Sequence, residues 1–179
     1  MPKVVHGPMT ALFPVPVVLV SCGVERPNII TLAWVGTVCS EPPMVGIAVR
    51  PTRFSHGLIK AAGQFVVNLP TTALLKAVEV CGTVSGWDRE KFALAGLTPA
   101  PPAKIEVPLI AECPLNIECL VRQTILLGSH DLFLGEVVAV QSDQALLNQH
   151  AQVDFQRAEW LCYLAGAYHS LSRRLGSGS

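Results

Sequence analysis

Charged residues are scarce in this sequence of 179 residues: only 15% are Asp, Glu, Lys or Arg, against roughly 25% in an ordinary soluble domain. Half of the residues are hydrophobic, so intrinsic disorder is excluded and a sizeable core can form. The 13 basic and 13 acidic residues cancel, which leaves no basic field for a nucleic-acid partner. The composition predicts one compact domain that buries further surface as a homodimer.

Long apolar runs and paired cysteines are also missing. The longest apolar run near the start, residues 14–22, is far shorter than the roughly 20 residues of a membrane span, so no membrane partner is expected. Prolines at positions 8, 14 and 16 argue against a signal peptide. The six cysteines form no C-x-x-C pair, which predicts reduced thiols, no metal site and a cytoplasmic location. Residues 1–175 are the predicted domain, and GSGS at 176–179 is a predicted flexible tail.

The familiar catalytic signatures are absent as well. Neither G-x-G-x-x-G nor G-x-x-x-x-G-K-[ST] occurs, so a dinucleotide-binding or P-loop domain has no support. G-x-S-x-G and H-E-x-x-H are missing too, and hydrolase mechanisms therefore have no starting point. No catalytic residue is predicted, except that His130 is kept as a candidate. A cofactor would have to bring the reactive chemistry.

What the sequence does contain is a succession of β-branched, partly alternating segments separated by turns. Gly135 interrupts one of them and is a candidate β-bulge. So many strands in a non-βαβ order predict a mainly β barrel with peripheral helices. The six predicted strands are residues 15–22, 28–39, 44–50, 64–69, 115–124 and 132–142.

Helical periodicity is confined to four segments: residues 55–62, 72–81, 87–95 and 160–175. Ser55 is expected to cap the first of these helices and Gly63 to end it. The third helix should carry Asp88 and Glu90 in its first turn, where the helix dipole favours acidic residues. The fourth is predicted from the apolar stripe formed by Leu161, Leu164, Tyr168 and Leu171.

The segment at residues 50–57, RPTRFSHG, is the most informative for function. Arg50, Arg53 and His56 crowd the start of a predicted helix, where the helix dipole disfavours cations. An anion such as phosphate would resolve that conflict, with Thr52 and Ser55 as hydroxyl donors. A solvated basic loop with an ordinary Ser cap explains the segment equally well, so both interpretations stay open.

Four other polar residues are candidates only in combination. Asn28 and Thr31 lie in an otherwise apolar strand, where polar groups are usually satisfied within the core. Lys91 on a predicted helix and His130 in a predicted turn would by themselves be solvated surface groups. None of the four is specific for one ligand.

The chain nevertheless resembles a known family through ordered segments that span residues 10 to 172. That family is the flavin reductase-like, FMN-binding split-barrel proteins. The resemblance implies a Greek-key split β-barrel, a homodimer, and FMN held noncovalently near the dimer interface. The matching segments include PVVLVSC, NIITLAWVGTVCSEPPMVGIAVRPTRFSHGLI, GQFVVNLP, CGTVSGWDREKF, SHDLFLGEVV and LCYLAGAYHSL.

The resemblance also implies which residues surround the cofactor. At the flavin ring it places Asn28, Thr31, Ala33 and Trp34. At the phosphate it places Arg50, Thr52, Ser55 and His56. Further positions around the cofactor are Lys91, His130 and Tyr163, with Cys39 at a strand end that faces the same groove.

The implied activity is an oxidoreductase in which NAD(P)H reduces the bound flavin and the flavin passes electrons to a second acceptor. Two alternatives stay open at this point. One is an FMN electron carrier that a redox partner protein reduces, with little NAD(P)H activity of its own. The other is a β-barrel that binds some other phosphorylated or aromatic ligand without redox chemistry.

Overall fold

The computed structural model describes residues 1–171, 175 and 176, and strands dominate that part of the chain. Three α-helices accompany them: α1 Phe54–Ala62, α2 Leu75–Thr83 and α3 Lys91–Ala95. Single-turn 3₁₀ helices cover Thr72–Leu74, Gln144–Leu146 and Phe155–Arg157. The strands are β1 Val15–Pro16, β2 Val18–Cys22, β3 Asn28–Leu32, β4 Val35–Ser40, β5 Pro43–Val49, β6 Gln64–Leu69, β7 Pro99–Ala100, β8 Leu109–Ile110, β9 Leu115–Leu126, β10 Asp131–Ser142, β11 Leu161–Leu164 and β12 Ala167–Ser170.

Seven strands form one antiparallel sheet in the order β3-β2-β6-β9-β10-β5-β4. Its two edge strands, β3 and β4, are consecutive in the chain and are joined only by Ala33 and Trp34. This short connection requires the sheet to curl until its edges approach one another, and the Ala48 N–H donates to the Trp34 carbonyl at 3.0 Å beside it. The predicted single strand over residues 28–39 was therefore wrong, since it divides between opposite edges of the sheet.

The concave side of the sheet holds the main core. Phe65, Phe133 and Ile47 are fully buried there. The register between β9 and β10 shifts at Gly135, which confirms the predicted bulge. A Cβ at Gly135 would lie 2.6 Å from the Phe65 ring, so only glycine lets this ring pack against the bulge.

A second core lies outside the sheet and attaches the helices to it. Val78 of α2 and Phe92 of α3 pack there against Leu19 and Ile29 of β2 and β3. The helix α1 instead contributes Ile59 to the main core. Gly63, with a φ of 65°, ends α1 as predicted, because its N–H donates to the Ile59 carbonyl in the left-handed conformation.

The predicted helix over residues 160–175 was wrong. The chain there forms the hairpin β11–β12, and β11 also pairs with β1. Ala165 and Gly166 connect the two strands with φ values of 46° and 103°, the positive signs typical of a tight hairpin loop. The apolar stripe that suggested a helix is a coincidence of spacing. Residues 172–174 of the predicted helix lie outside the described residues.

The ends of two other predicted helices also differ from the structure. The third helix begins at Lys91, so Asp88 lies in a turn before it and Glu90 occupies the cap position. Arg53 rather than Ser55 is the N-cap of α1. Ser55 lies inside that helix, and its hydroxyl accepts a hydrogen bond from Asn28 instead of capping the helix.

No helix in the described part of the chain is both long enough and apolar enough to cross a membrane. Apart from Gly176, the predicted tail lies outside the described residues.

Candidate functional site

A groove of about 170 Å³ opens where the β3 edge of the sheet, the start of α1 and the loop after α2 meet. The curled sheet brings β3 close to the end of β5, so segments far apart in sequence share this groove. Its lining residues are Asn28, Ile30, Thr31, Leu32, Ala48, Arg50, Thr52, Arg53, Phe54, Ser55, Cys81, Gly82, Val84, Ser85, Gly86, Lys91 and His130.

One end of the groove is the N-terminus of α1. No side chain caps this terminus, and its first turn contains no acidic residue. Arg50, Thr52 and Arg53 line the groove at that end and are exposed to solvent. Because helix N-termini carry partial positive charge and unpaired N–H groups, this end of the groove suits an anion.

The wall behind the α1 terminus is a tightly packed polar contact. The Asn28 Nδ2 donates to the Ser55 Oγ at 2.8 Å, and both side chains are buried. Gly86 presses against this pair, because a Cβ at Gly86 would lie 2.5 Å from the Asn28 Oδ1 and 2.6 Å from the Phe54 ring. These contacts therefore fix the orientation of the Asn28 amide, which lines the groove.

Lys91 lies at the floor of the groove and is only 4% exposed. Its Nζ donates to the Cys81 carbonyl at 2.7 Å, in the last turn of α2, where the helix dipole favours a cation. Burial, with a smaller contribution from Arg53, lowers the pKa of Lys91. The structure thus rejects a solvated surface position for this lysine and places an ammonium where an anionic ligand would stabilise its charge.

His130 lines the groove close to Arg50, and its ring lies 4.5 Å from the Trp34 ring, measured between centroids. The His130 Nδ1 is 2.9 Å from the Ser129 hydroxyl, and the imidazole lines the groove. Burial and the nearby Arg50 lower the pKa of His130, which favours the neutral imidazole at pH 7. Trp34 itself is 45% exposed beside the groove.

Four predicted site residues lie elsewhere in this chain. The His56 Nε2 is 2.7 Å from the Asp131 Oδ2 in a buried pair, so this imidazole is committed to β10 rather than to a phosphate. Cys39 pairs with Met44 near the start of β5, whereas Arg50 follows the last residue of that strand. Cys39 therefore does not reach the groove. Tyr163 and Ala33 line a separate pocket, which shares Thr31 and Gly82 with the groove.

Thr31 lines both pockets, yet its hydroxyl is already engaged. The Thr31 Oγ1 donates to the Val78 carbonyl of α2 at 2.6 Å. Its side chain therefore holds α2 against β3.

Sequence reasoning missed several groove residues in and after the last turn of α2. Cys81 belongs to that turn, and Ser85 and Gly86 lie in the loop between α2 and α3, which folds back over β3. The Ser-Gly pair at 85–86 was the available signal, since such dipeptides mark turns. Nothing in the sequence indicates that this turn would lie against Asn28.

Comparison with known proteins identifies the family and the fold. The family model described as the flavin reductase like domain matches residues 9–172. The chain belongs to the flavin reductase-like family. The mainly β split barrel with peripheral helices, predicted from the sequence, is thereby confirmed as this family's fold.

The chain is similar to two solved structures and to one further protein sequence. The chain is 28% identical to the flavoredoxin of Desulfovibrio vulgaris, with a TM-score of 0.90 and coverage of 98% of this chain and 96% of the other. It is also 28% identical to the flavoredoxin from Methanosarcina acetivorans, with a TM-score of 0.91 and coverage of 99% of this chain and 95% of the other. An uncharacterised protein of Archaeoglobus fulgidus is 37% identical over 81% of this chain and 82% of its own length.

Proposed function

We propose that the groove binds FMN and that the chain is an FMN-dependent oxidoreductase. The observation that carries the proposal is the α1 N-terminus: it is uncapped and free of acidic residues, and Arg50 and Arg53 flank it. An FMN phosphate dianion supplies the charge that this arrangement lacks. Membership of the flavin reductase-like family supports the same cofactor.

The other groove residues fit the remaining parts of FMN. Arg50, Thr52 and the N–H groups of α1 hold the phosphate in this proposal. Lys91 and the Asn28 amide supply a cation and polar atoms for the pyrimidine edge of the ring. Trp34 and His130 cover the ring face and exclude water from it. Bound FMN would supply the hydride-accepting chemistry, with NAD(P)H as the donor.

A second copy of the chain completes the site in this proposal. One chain alone forms a groove of about 170 Å³, below the roughly 300–1,000 Å³ of typical ligand pockets. The chain also exposes an apolar cavity of about 570 Å³ that β1, β4 and β11 border. Light scattering should therefore show a dimer at micromolar concentration, and a monomer with FMN still bound would contradict a shared site.

The cysteines support a reducing, cytoplasmic location. All six lie within the described residues, all are free thiols, and five of them are buried. Burial raises the pKa of Cys22 to about 12 and that of Cys81 to about 11, which keeps both as unreactive thiols.

The phosphate end is tested by titration with FMN and with riboflavin, which lacks the phosphate. Arg50→Ala should weaken FMN binding by about tenfold to a hundredfold, since a charge-assisted hydrogen bond contributes about 1.5 to 3 kcal/mol. Riboflavin binding should change far less. Lys60→Ala, at the exposed far end of α1, is the matched control. Equal losses for both ligands would show that Arg50 does not bind phosphate.

Stopped-flow mixing with NADH and with NADPH separates the enzyme from an electron carrier. If the protein is a flavin reductase, the absorbance of its bound oxidised FMN near 450 nm should disappear within one turnover, as expected for direct hydride transfer to the flavin. FMN that stays oxidised would favour a carrier reduced by a partner protein. Purified protein that binds no FMN at all would favour a barrel for another ligand.

A further inference from the structure

An exposed aromatic pair continues the groove beyond its cationic end. Trp87, in the loop between α2 and α3, is 65% exposed, although Trp is largely buried in most proteins. Its ring lies 4.6 Å from the Phe54 ring, measured between centroids. Phe54 is the first residue of α1 and itself lines the groove, so the pair begins where the groove ends.

The position of Trp87 is held by several independent contacts. The Trp87 backbone N–H donates to the Ser85 Oγ at 3.2 Å. The Arg26 guanidinium lies 5.0 Å from the Phe54 ring centroid and donates to the Gly86 carbonyl at 3.3 Å. Gly86 permits the close approach of the loop to Phe54, as described above. These contacts hold the loop backbone beside Phe54, and the Trp87 ring packs on the Phe54 ring while much of its surface stays open to solvent.

We propose that Trp87, Phe54 and Arg26 form a stacking shelf for the adenine of an adenosine phosphate. A fixed, exposed indole is a platform for a flat heteroaromatic base, and the neighbouring guanidinium adds an attraction for phosphate. The Arg53 side of the groove adds further positive charge along the same path. A purine nucleotide fits this combination of a π surface with adjacent cations.

Two molecules that take part in flavin reduction, FAD and NAD(P)H, each contain an AMP half and therefore an adenosine phosphate. The shelf rests on the proposed function, because FAD or NAD(P)H would reach this end of the groove only if the groove beside it is a flavin site. It extends that function by assigning a second subsite, and it predicts that the chain discriminates between ligands with and without adenosine.

The test begins with ADP, which contains the shared moiety and no flavin. Parent protein should bind ADP more tightly than ribose 5-phosphate, and Trp87→Ala should weaken ADP binding by about 5- to 100-fold, the range for loss of one base–aromatic stack. Trp87→Phe should restore most of the affinity because it keeps an aromatic face. Leu94→Ala, which removes a 48% exposed apolar side chain of α3 outside the groove lining, is the control and should change nothing.

FAD and NADH then distinguish the two sources of the adenosine. If the shelf holds the AMP half of FAD, Trp87→Ala weakens FAD binding and leaves FMN binding intact. If the shelf holds the AMP half of NADH, Trp87→Ala raises the KM for NADH but not the KM for reduced nicotinamide mononucleotide. The affinities for FAD and for FMN then change equally.

The shelf is overturned if Trp87→Ala changes neither ADP affinity, nor the FAD to FMN ratio, nor the NADH KM. Failure of the proposed function has a different signature, namely absence of FMN binding by the parent protein. The ADP titration still decides the shelf in that case.

Discussion

Two buried ionisable groups, Glu118 and Lys91, show how differently the scaffold and the groove are built. Glu118 in β9 is fully buried, and its carboxylate accepts hydrogen bonds from the N–H groups of Ala103 and Lys104 at 2.8 Å and from Gln141 at 2.9 Å. Lys91 is 4% exposed, and within the described part of the chain the Cys81 carbonyl is its one hydrogen-bond acceptor.

The pKa shifts of these two groups express the same contrast. Burial by itself would raise the pKa of Glu118, but the hydrogen bonds to its carboxylate outweigh burial and lower that pKa. At Lys91 burial prevails and lowers the pKa, so the charged form is disfavoured. An ammonium has three donors, and two of them remain for a ligand here. The charge of Glu118 is satisfied within the chain, whereas in the proposed function the charge of Lys91 is completed by the cofactor.

The largest expected effect is on the scaffold. Glu118→Gln should reduce the free energy of unfolding by about 3 kcal/mol, because an amide NH₂ would face N–H donors in a buried site. Urea denaturation measures this loss. Glu136→Gln, in an exposed ion pair with Arg122, is the control and should cost at most about 1 kcal/mol. Similar small losses for both variants would remove the contrast with the groove.

The pH dependence of the unfolding free energy tests whether the ionised carboxylate of Glu118 stabilises the scaffold. The pKa of Glu118 lies below its ordinary value of 4.5 in the folded state, so the folded protein holds the ionised form more strongly. Its stabilisation is therefore present above pH 4.5 and is lost as the pH falls through the lowered folded pKa. The difference in unfolding free energy between parent and Glu118→Gln should narrow from pH 5 to pH 3. A constant difference would mean that the carboxylate charge contributes nothing.

A smaller effect on stability is expected in the groove. Lys91→Met should change the unfolding free energy of the flavin-free protein by no more than about 1 kcal/mol, because it removes a desolvated charge together with a single hydrogen bond. Calorimetry or urea denaturation checks this directly. A loss as large as that of Glu118→Gln would assign Lys91 to the scaffold.

The barrel followed from the sequence because its strands carry their own signals. Alternation defined β9 and β10, and Gly135 marked the bulge that lets Phe65 pack. The C-terminal hairpin was missed because four apolar residues matched a helical period by chance. Whether a strand or a helix forms there depends on pairing with β1, which lies about 145 residues away and leaves no local trace.

The groove was only partly predictable for a similar reason. The conflict between cations and a helix N-terminus can be recognised within residues 50–57, and the structure does place Arg50 and Thr52 together there. The burial of Lys91 and the turn of His56 toward Asp131 depend on how α1 and α3 pack. Trp87 gave no signal, because its exposure is a property of the folded loop.

The midpoint potential of bound FMN, measured in the parent protein and in Lys91→Met, shows whether the charge of Lys91 acts on the cofactor. A unit charge about 4 Å from the anionic reduced ring contributes roughly 4 kcal/mol at an effective dielectric constant of 20, before desolvation and screening. If a third of that survives, the variant should bind reduced FMN about tenfold more weakly than the parent does, and its two-electron potential should fall by about 30 mV. Lys60→Met should leave the potential unchanged. An unchanged potential in Lys91→Met, with unchanged FMN affinity, would contradict the account of a charge reserved for the cofactor.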